Sequence, residues 1–265
     1  MTLSFRSVAT ACALGLLVGP ALAQSPGTDM DAAIKNYLAR HPEEVQRIVR
    51  DYLVKNPEVL QEALVELIRK RKPASAANID TSAAIKTNAK LLFNSSHQVV
   101  LGNPQGDVTL VEFFDYNCGY CKRALADTLA LLKDDPKLRI VLKEFPVLGP
   151  GSTEAARVAV AVRMQDLSGK KYLAFHEKML SDRGQASKMQ AMAHAADAGL
   201  DMARLERDVT SEEVEQTIQE SASLAGSLGI NGTPGYVVGD TIIPGAVGLT
   251  LLKNKIAASR SVRQN

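Results

Sequence analysis

The feature that most restricts the fold of this chain is a junction near its middle. Val108-Thr109-Leu110-Val111-Glu112-Phe113-Phe114 is a run of strand-forming residues, and it leads almost directly into Cys118-Gly119-Tyr120-Cys121. From Lys122 to Leu132 the spacing becomes helical, and Asp134-Asp135-Pro136 ends it. Leu138 to Phe145 reads as a second strand, with Arg139-Ile140-Val141-Leu142 at its heart and Pro146 as its stop. This β-α-β order predicts an α/β domain with its cysteines where a strand hands over to a helix.

The flanks extend the pattern. Ser82 to Phe93 predicts a helix, and Gln98-Val99-Val100-Leu101 a strand closed by Gly102-Asn103-Pro104. From about Ser152 to Leu228 the chain is helical by pattern, with Ala-rich segments split at Gly169, Gly184 and Gly199. Gly235-Tyr236-Val237-Val238, a turn at Gly239-Asp240 and Thr241-Ile242-Ile243 predict a β-hairpin. Gly248 to Ser259 is a closing helix. A helical block, about 152–228, is therefore expected inside an α/β domain spanning 81–265. With 265 residues, 46% of them hydrophobic, one sizeable core is easily supported.

The N-terminus reads as a signal peptide over residues 1–23. Arg6 supplies the positive end, Val8 to Val18 the apolar stretch, and Ala21-Leu22-Ala23 the cleavage site before Gln24. That stretch is too short to span a bilayer comfortably. Residues 24–80 then form a helical region and linker. Ile34-Lys35-Asn36-Tyr37-Leu38 before His41-Pro42-Glu43 is echoed by Val49-Arg50-Asp51-Tyr52-Leu53 before Asn56-Pro57-Glu58. Each Pro-Glu is a helix start, with Asn56 as an N-cap. Val59, Leu60, Leu64, Leu67 and Ile68 form an apolar stripe that Arg69-Lys70-Arg71-Lys72 closes. Such a stripe must be covered by the main domain or by copies of itself, and self-association is the expectation.

Cleavage would remove Cys12 and leave one pair of cysteines. A four-residue loop closes almost no chain entropy, so the pair is read as reactive rather than as a staple. A cysteine at a helix N-terminus is favoured as thiolate by free N–H groups and the macrodipole. Thiolate is the species that attacks a disulfide. Cys118 is thus the expected exposed nucleophile, and Cys121, one turn further in, the shielded resolving thiol. Zinc would need more ligands, and His41, His97, His176 and His194 are scattered singly. No metal and no cofactor is expected beyond a reversible Cys118–Cys121 disulfide. An inert disulfide is one other reading, and Cu(I) held by two thiolates another.

Val111 to Cys121 resembles the active-site segment of the DsbA family, and Gly232-Thr233-Pro234-Gly235-Tyr236 resembles that family's cis-proline loop. The resemblance runs from about Gln98 to Ser259. It implies a thioredoxin fold with an inserted helical domain, preceded here by an N-terminal helical stalk. It also implies roles. Pro234 would be a cis-proline facing the cysteines, with the Thr233 backbone pairing an extended client strand. Gly119 and Tyr120 would set the local field and contact surface. Glu112, six residues before Cys118, would be a buried acid that moves the proton of Cys121. The other reading of Glu112 is a surface acid on an edge strand. The N-terminal region is similar to the oligomerising stalk of ScsC-like proteins, trimeric relatives linked to copper tolerance. That implies a homo-oligomer, with a trimer favoured, through residues 30–72.

Gly-Tyr between the cysteines differs from the Pro-His of the oxidase DsbA. With Thr before the proline, it is similar to the dimeric isomerase DsbC. The resemblance therefore implies a periplasmic disulfide isomerase or reductase acting on exported cysteine-containing proteins, with a membrane thiol reductase as partner. A DsbA-like dithiol oxidase with a membrane oxidase partner is the alternative, and a copper-binding protein the alternative from another class. A net charge of +2 gives no reason to expect a nucleic-acid partner.

Overall fold

The computed structural model describes residues 26–56, 59, 80–166 and 168–262. The expected signal peptide lies outside the described residues. So do the basic run at 69–72 and, apart from Val59, the stripe before it. The chain divides into two compact units, Met1–Pro73 and Ala74–Asn265.

In the first unit, α1 (Pro26–Arg40) and α2 (Pro42–Lys55) are separated only by His41. Pro42 starts α2 because the first helical position needs no N–H donor, and Glu43 and Glu44 suit the positive end of the dipole. Val45, Ile48, Val49 and Tyr52 recur at helical spacing along α2, and all four are exposed, as are Ile34, Tyr37 and Leu38 on α1. No residue of α2 is buried. Asn56 closes the end of α2, where its N–H and its Nδ2 both donate to the Tyr52 carbonyl at 2.9 and 2.8 Å; the helix it is expected to cap lies, apart from Val59, outside the described residues.

The second unit is built on a five-stranded sheet. Its strands are β1 (Val99–Gly102), β2 (Val108–Phe114), β3 (Leu138–Glu144), β4 (Gly235–Val238) and β5 (Thr241–Pro244). The spatial order is β1-β3-β2-β4-β5, and only the central β2–β3 pair is parallel. The crossover between them is α5 (Gly119–Asp134). Both central strands are buried along nearly their whole length, as a sheet covered on two faces requires.

Alternate residues feed two cores. Leu110, Phe114, Ile140 and Leu142 face a layer containing α5, α6 (Pro150–Gln165) and α11 (Leu249–Val262). Val111, Phe113 and Val141 face the other side, against Ile85, Leu92 and the end of α10 (Glu212–Leu228). Between α6 and α10 lie α7 (Lys170–Ser181), α8 (Lys188–Asp197) and α9 (Met202–Asp208).

The helix expected over 82–93 is two helices, α3 (Thr81–Thr87) and α4 (Ala89–Asn94). Asn88 causes the break: its backbone N–H and its Nδ2 both donate to the Ala84 carbonyl, at 3.1 and 2.9 Å. A side chain that competes for a helix carbonyl ends the helix.

Candidate active site

Cys118 is the N-cap residue of α5, with φ −77° and ψ 112°. Its own N–H donates to the Asp115 carbonyl at 3.0 Å, and its carbonyl accepts from the Lys122 N–H at 3.0 Å. The sulfur therefore stands at the positive end of a 16-residue helix. Across from it, the Thr233–Pro234 peptide bond is cis. The Cys118 thiol donates to the Thr233 carbonyl at 3.2 Å. The geometry thus brings together Cys118, Cys121, Thr233 and Pro234 from chain segments more than a hundred residues apart.

Cys118 is less open than expected. It is 5% exposed, against 0% for Cys121, because the Thr233 loop lies against its sulfur. Exposure falls instead on Tyr120, whose ring is stacked by the Arg123 guanidinium at 4.3 Å from the ring centre. A Cβ on Gly119 would meet no atom within 4 Å, so the chain passes Gly119 through open space. A groove of about 490 Å³ beside it is lined by Asn117, Gly119, Lys122, Leu148 and Arg183–Gln185.

The loop that presents Cys118 is held by polar residues whose importance the sequence did not signal. The buried Asp115 carboxylate accepts four hydrogen bonds. They come from the Asn117 N–H at 2.7 Å, the Ser152 hydroxyl at 2.8 Å, the Val147 N–H at 2.8 Å and the Leu148 N–H at 3.0 Å. Asn117 braces the loop on the helical insertion. Its Nδ2 donates to the Ser152 hydroxyl and the Ala186 carbonyl, and its Oδ1 accepts from the Ala186 N–H at 2.7 Å. Lys122 donates to the Asp182 and Gly184 carbonyls at 2.7 and 2.8 Å. Tyr116 packs in the core and meets His176 at 3.1 Å and Tyr172 at 3.3 Å. Tyr172 in turn donates to Glu144 at 2.7 Å.

Electrostatics make the two sulfurs unequal. Hydrogen bonds from the Cys121 thiol, the Thr233 side chain and the N–H groups of Cys121 and Tyr120 outweigh burial and bring the Cys118 thiol down to about 5. The same pairing, with burial, pushes Cys121 up. Of the two sulfurs, Cys118 is therefore the one favoured as thiolate and Cys121 the one favoured as thiol.

Glu112 lies in β2, between β3 and β4, and is 3% exposed. It is not an edge residue. Burial raises its carboxyl to about 7, although Thr128 donates to it at 3.1 Å. It is poised to gain or lose a proton near neutrality, in the field of the cysteines. Among the described residues, no group of three or more His, Cys, Asp or Glu side chains is placed to hold a metal ion.

Residues 109–257 match the family described as the DSBA-like thioredoxin domain, and residues 44–74 match the copper resistance protein ScsC N-terminal domain. Solved structures agree. A thioredoxin-like oxidoreductase from Silicibacter pomeroyi is 45% identical, with a TM-score of 0.62 over 66% of this chain and 98% of that one. The thiol-disulfide exchange protein alpha-DsbA2 from Wolbachia pipientis is 30% identical, with a TM-score of 0.62 over 67% and 95%. ScsC from Proteus mirabilis, in a transitional conformation, is 29% identical, with a TM-score of 0.61 over 84% and 98%. Curated relatives include Na(+)/H(+) antiporters such as NhaA 1 of Salinispora arenicola, 26% identical over 52% of this chain. The match spans only 21% of that antiporter's length.

Proposed function

The chain belongs to the DSBA-like thioredoxin domain family of thiol–disulfide oxidoreductases, and on that footing we propose that it is a periplasmic disulfide isomerase and reductase. Its signal sequence exports it, and exported cysteine-containing proteins are its clients. Cys118, Cys121 and Glu112 carry the reaction, while Gly119, Tyr120, Thr233 and Pro234 hold the client. The observation that carries this reading is the Cys118 sulfur at a helix start, 3.2 Å from the carbonyl of Thr233. That carbonyl is an acceptor for the backbone N–H of an extended client strand.

The Cys118 thiolate attacks one sulfur of a client disulfide. A Cys118–client S–S bond forms, the client bond breaks, and the second client sulfur leaves with the electron pair and takes a proton from water. In isomerisation, another client thiolate displaces Cys118. In reduction, Cys121 gives its proton to the Glu112 carboxylate and attacks Cys118. The Cys118–Cys121 bond forms and the client sulfur leaves with its electrons. A membrane dithiol partner then reduces the enzyme disulfide. The ring Tyr120 presents and the groove beside Gly119 supply client contact.

The exposed apolar stripe on α1 and α2 supports a homo-oligomer, with a trimer favoured, through residues 30–72. Several sites on one assembly would retain a misfolded client by avidity. The test is reactivation of a protein with scrambled disulfides, together with trapping of the cysteine redox state in cells. Reactivation with Cys118 mostly reduced supports the isomerase. Fast oxidation of reduced peptides without rearrangement, and a mostly oxidised pair, would replace it with an oxidase. The stabilised Cys118 thiolate also suits that second reading, because a stabilised reduced form makes a strong oxidant. The match of residues 44–74 to a copper resistance protein's domain supports a copper-binding reading. Tight Cu(I) binding lost on Cys118→Ser, with negligible redox turnover, would select it.

A further inference from the structure

Tyr236 has no part in the reaction outlined above, yet strand pairing sets it directly opposite Glu112 in the antiparallel β2–β4 ladder. Cross-strand partners share a face. The phenol therefore lies with Leu110, Phe114 and Cys121 in one core. Its ring is fully buried, and its hydroxyl has no partner in good hydrogen-bond geometry. A buried hydroxyl that has Glu112 as its neighbour, but out of good hydrogen-bond geometry, calls for an explanation. The groups it feels are Glu112, Cys121 and Asp127, and those facing Glu112 from the surrounding elements are Thr128, Tyr236, Asp127, Cys118 and Cys121. Thr128 donates to the Glu112 carboxyl at Oε2, 3.1 Å away, and the nearby Tyr236 hydroxyl also favours its ionised form. An ionised carboxylate has about four acceptor sites, so one hydroxyl leaves most of them open.

We propose that the Tyr236 hydroxyl is a positioning group for Glu112, turning to donate to the carboxylate whenever Glu112 ionises and so holding it ready to receive the Cys121 proton. The proposal rests on the reading of Glu112 as the acid that serves Cys121. In the resolving step the proton moves from Cys121 Sγ to the Glu112 carboxylate. The Cys118–Cys121 bond forms, the Cys118–client bond breaks, and the client sulfur leaves with the electron pair. Tyr236 keeps its own proton throughout, as its burial favours.

The experiment is a pH titration of ¹³C-labelled glutamate carboxyls in the reduced full-length protein and in Tyr236→Phe, with Glu112→Gln to assign the signal. Rapid-quench measurement of mixed-disulfide lifetime runs in parallel. Tyr236→Phe keeps the buried ring, so it should fold with an unchanged or higher Tm. The Glu112 midpoint should rise by about one pH unit, the scale of losing one hydrogen bond to a charged acceptor. The pH limb of resolution should move up with it, slowing the step up to tenfold near neutrality, while alkylation of Cys118 keeps its midpoint. An unmoved Glu112 midpoint, with Glu112→Gln still slowing resolution, overturns the role of Tyr236 and leaves that of Glu112 standing. Resolution at the wild-type rate in Glu112→Gln overturns both.

Discussion

A thiol of pKa about 5 makes a quantitative demand on the alkylation kinetics of Cys118. At pH 7 such a group is about 99% thiolate, whereas a cysteine at the ordinary value of 9 is about 1%. Thiolate content alone would suggest a reaction about a hundredfold faster. Nucleophilicity, however, falls with pKa at a slope of about 0.4–0.5, so a four-unit drop slows each thiolate roughly 40- to 100-fold. The two effects nearly cancel at pH 7, and an assay there would show an unremarkable cysteine. At pH 5 the balance changes. Half of Cys118 is still thiolate, against about 0.01% for the ordinary group, and the net advantage becomes roughly 50- to 125-fold. Iodoacetamide labelling of the reduced protein from pH 3.5 to 9, read by mass, should give a half-rise near pH 5 and a plateau above pH 6.5. Cys121, fully buried with its thiol pushed up, should not label in the folded protein. Cys121→Ala removes the largest cause of the depression, so its midpoint should move up toward the ordinary value. A wild-type rate that climbs through pH 8–9 without an earlier plateau would refute the reasoning.

Other outcomes follow from single groups. Glu112→Gln should slow resolution by roughly a hundredfold, seen as accumulated mixed disulfide on a non-reducing gel. The same change should stabilise the reduced protein at alkaline pH. Glu112 has a raised pKa, so its penalty is absent below 4.5, grows as pH rises and is complete above about 7, reaching about 3 kcal/mol in urea denaturation. His176 is buried and lowered from 6.5 to about 3, so its contribution is whole above 6.5 and lost as pH falls toward 3. The wild type should lose about 3 kcal/mol from this group between pH 7 and pH 4, and His176→Gln should lose correspondingly less. Ile48→Glu places a charge in the exposed stripe of α2. Sedimentation should then show a smaller assembly, with reactivation of a scrambled client reduced and single-peptide exchange unchanged.

What the sequence revealed and what it hid follow from the range of the interactions involved. The junction from Val108 to Cys121 was legible because strand alternation, the cysteine spacing and the helix that follows are all local signals. The hairpin at Gly239 was equally plain: its φ of 59° and the Ser259 hydroxyl 2.8 Å from where a Cβ would sit leave room for glycine alone. Asn88 was missed because an asparagine within an otherwise helical pattern gives no warning that its amide will bond Ala84. Asp115 and Asn117 were harder still. Their partners Ser152, Val147 and Ala186 lie 32 to 69 residues away, and no periodicity links them. Tyr236 could have been singled out only by knowing the β2–β4 register. Cys118 was placed correctly at a helix start but expected in the open, because a loop 115 residues distant covers it.

The asymmetry of the two sulfurs bears on the direction of the chemistry. Stabilising the Cys118 thiolate stabilises the reduced form, and by linkage makes the Cys118–Cys121 disulfide more oxidising. An isomerase and an oxidase both gain from this: the first needs a reduced attacker, and the second needs a disulfide it can readily give up. Gly119 and Tyr120 add no cationic group between the cysteines, and the depression arises instead from Cys121, Thr233 and backbone N–H groups. Those donors belong to the fold and stay when the dipeptide changes. Replacing Gly119-Tyr120 by Pro-His should therefore lower the thiolate midpoint only modestly below 5. On the proposed reading, direction then depends on what lies outside the site: the redox partner that would reset the pair, and the assembly that α1 and α2 would form. A monomeric Ile48→Glu protein supplied with a membrane oxidase should form disulfides in reduced clients, while the assembled wild type supplied with a reductase should rearrange them. If the monomer rearranges scrambled clients as well as the assembly does, the direction is written in the site after all, and the stalk has another purpose.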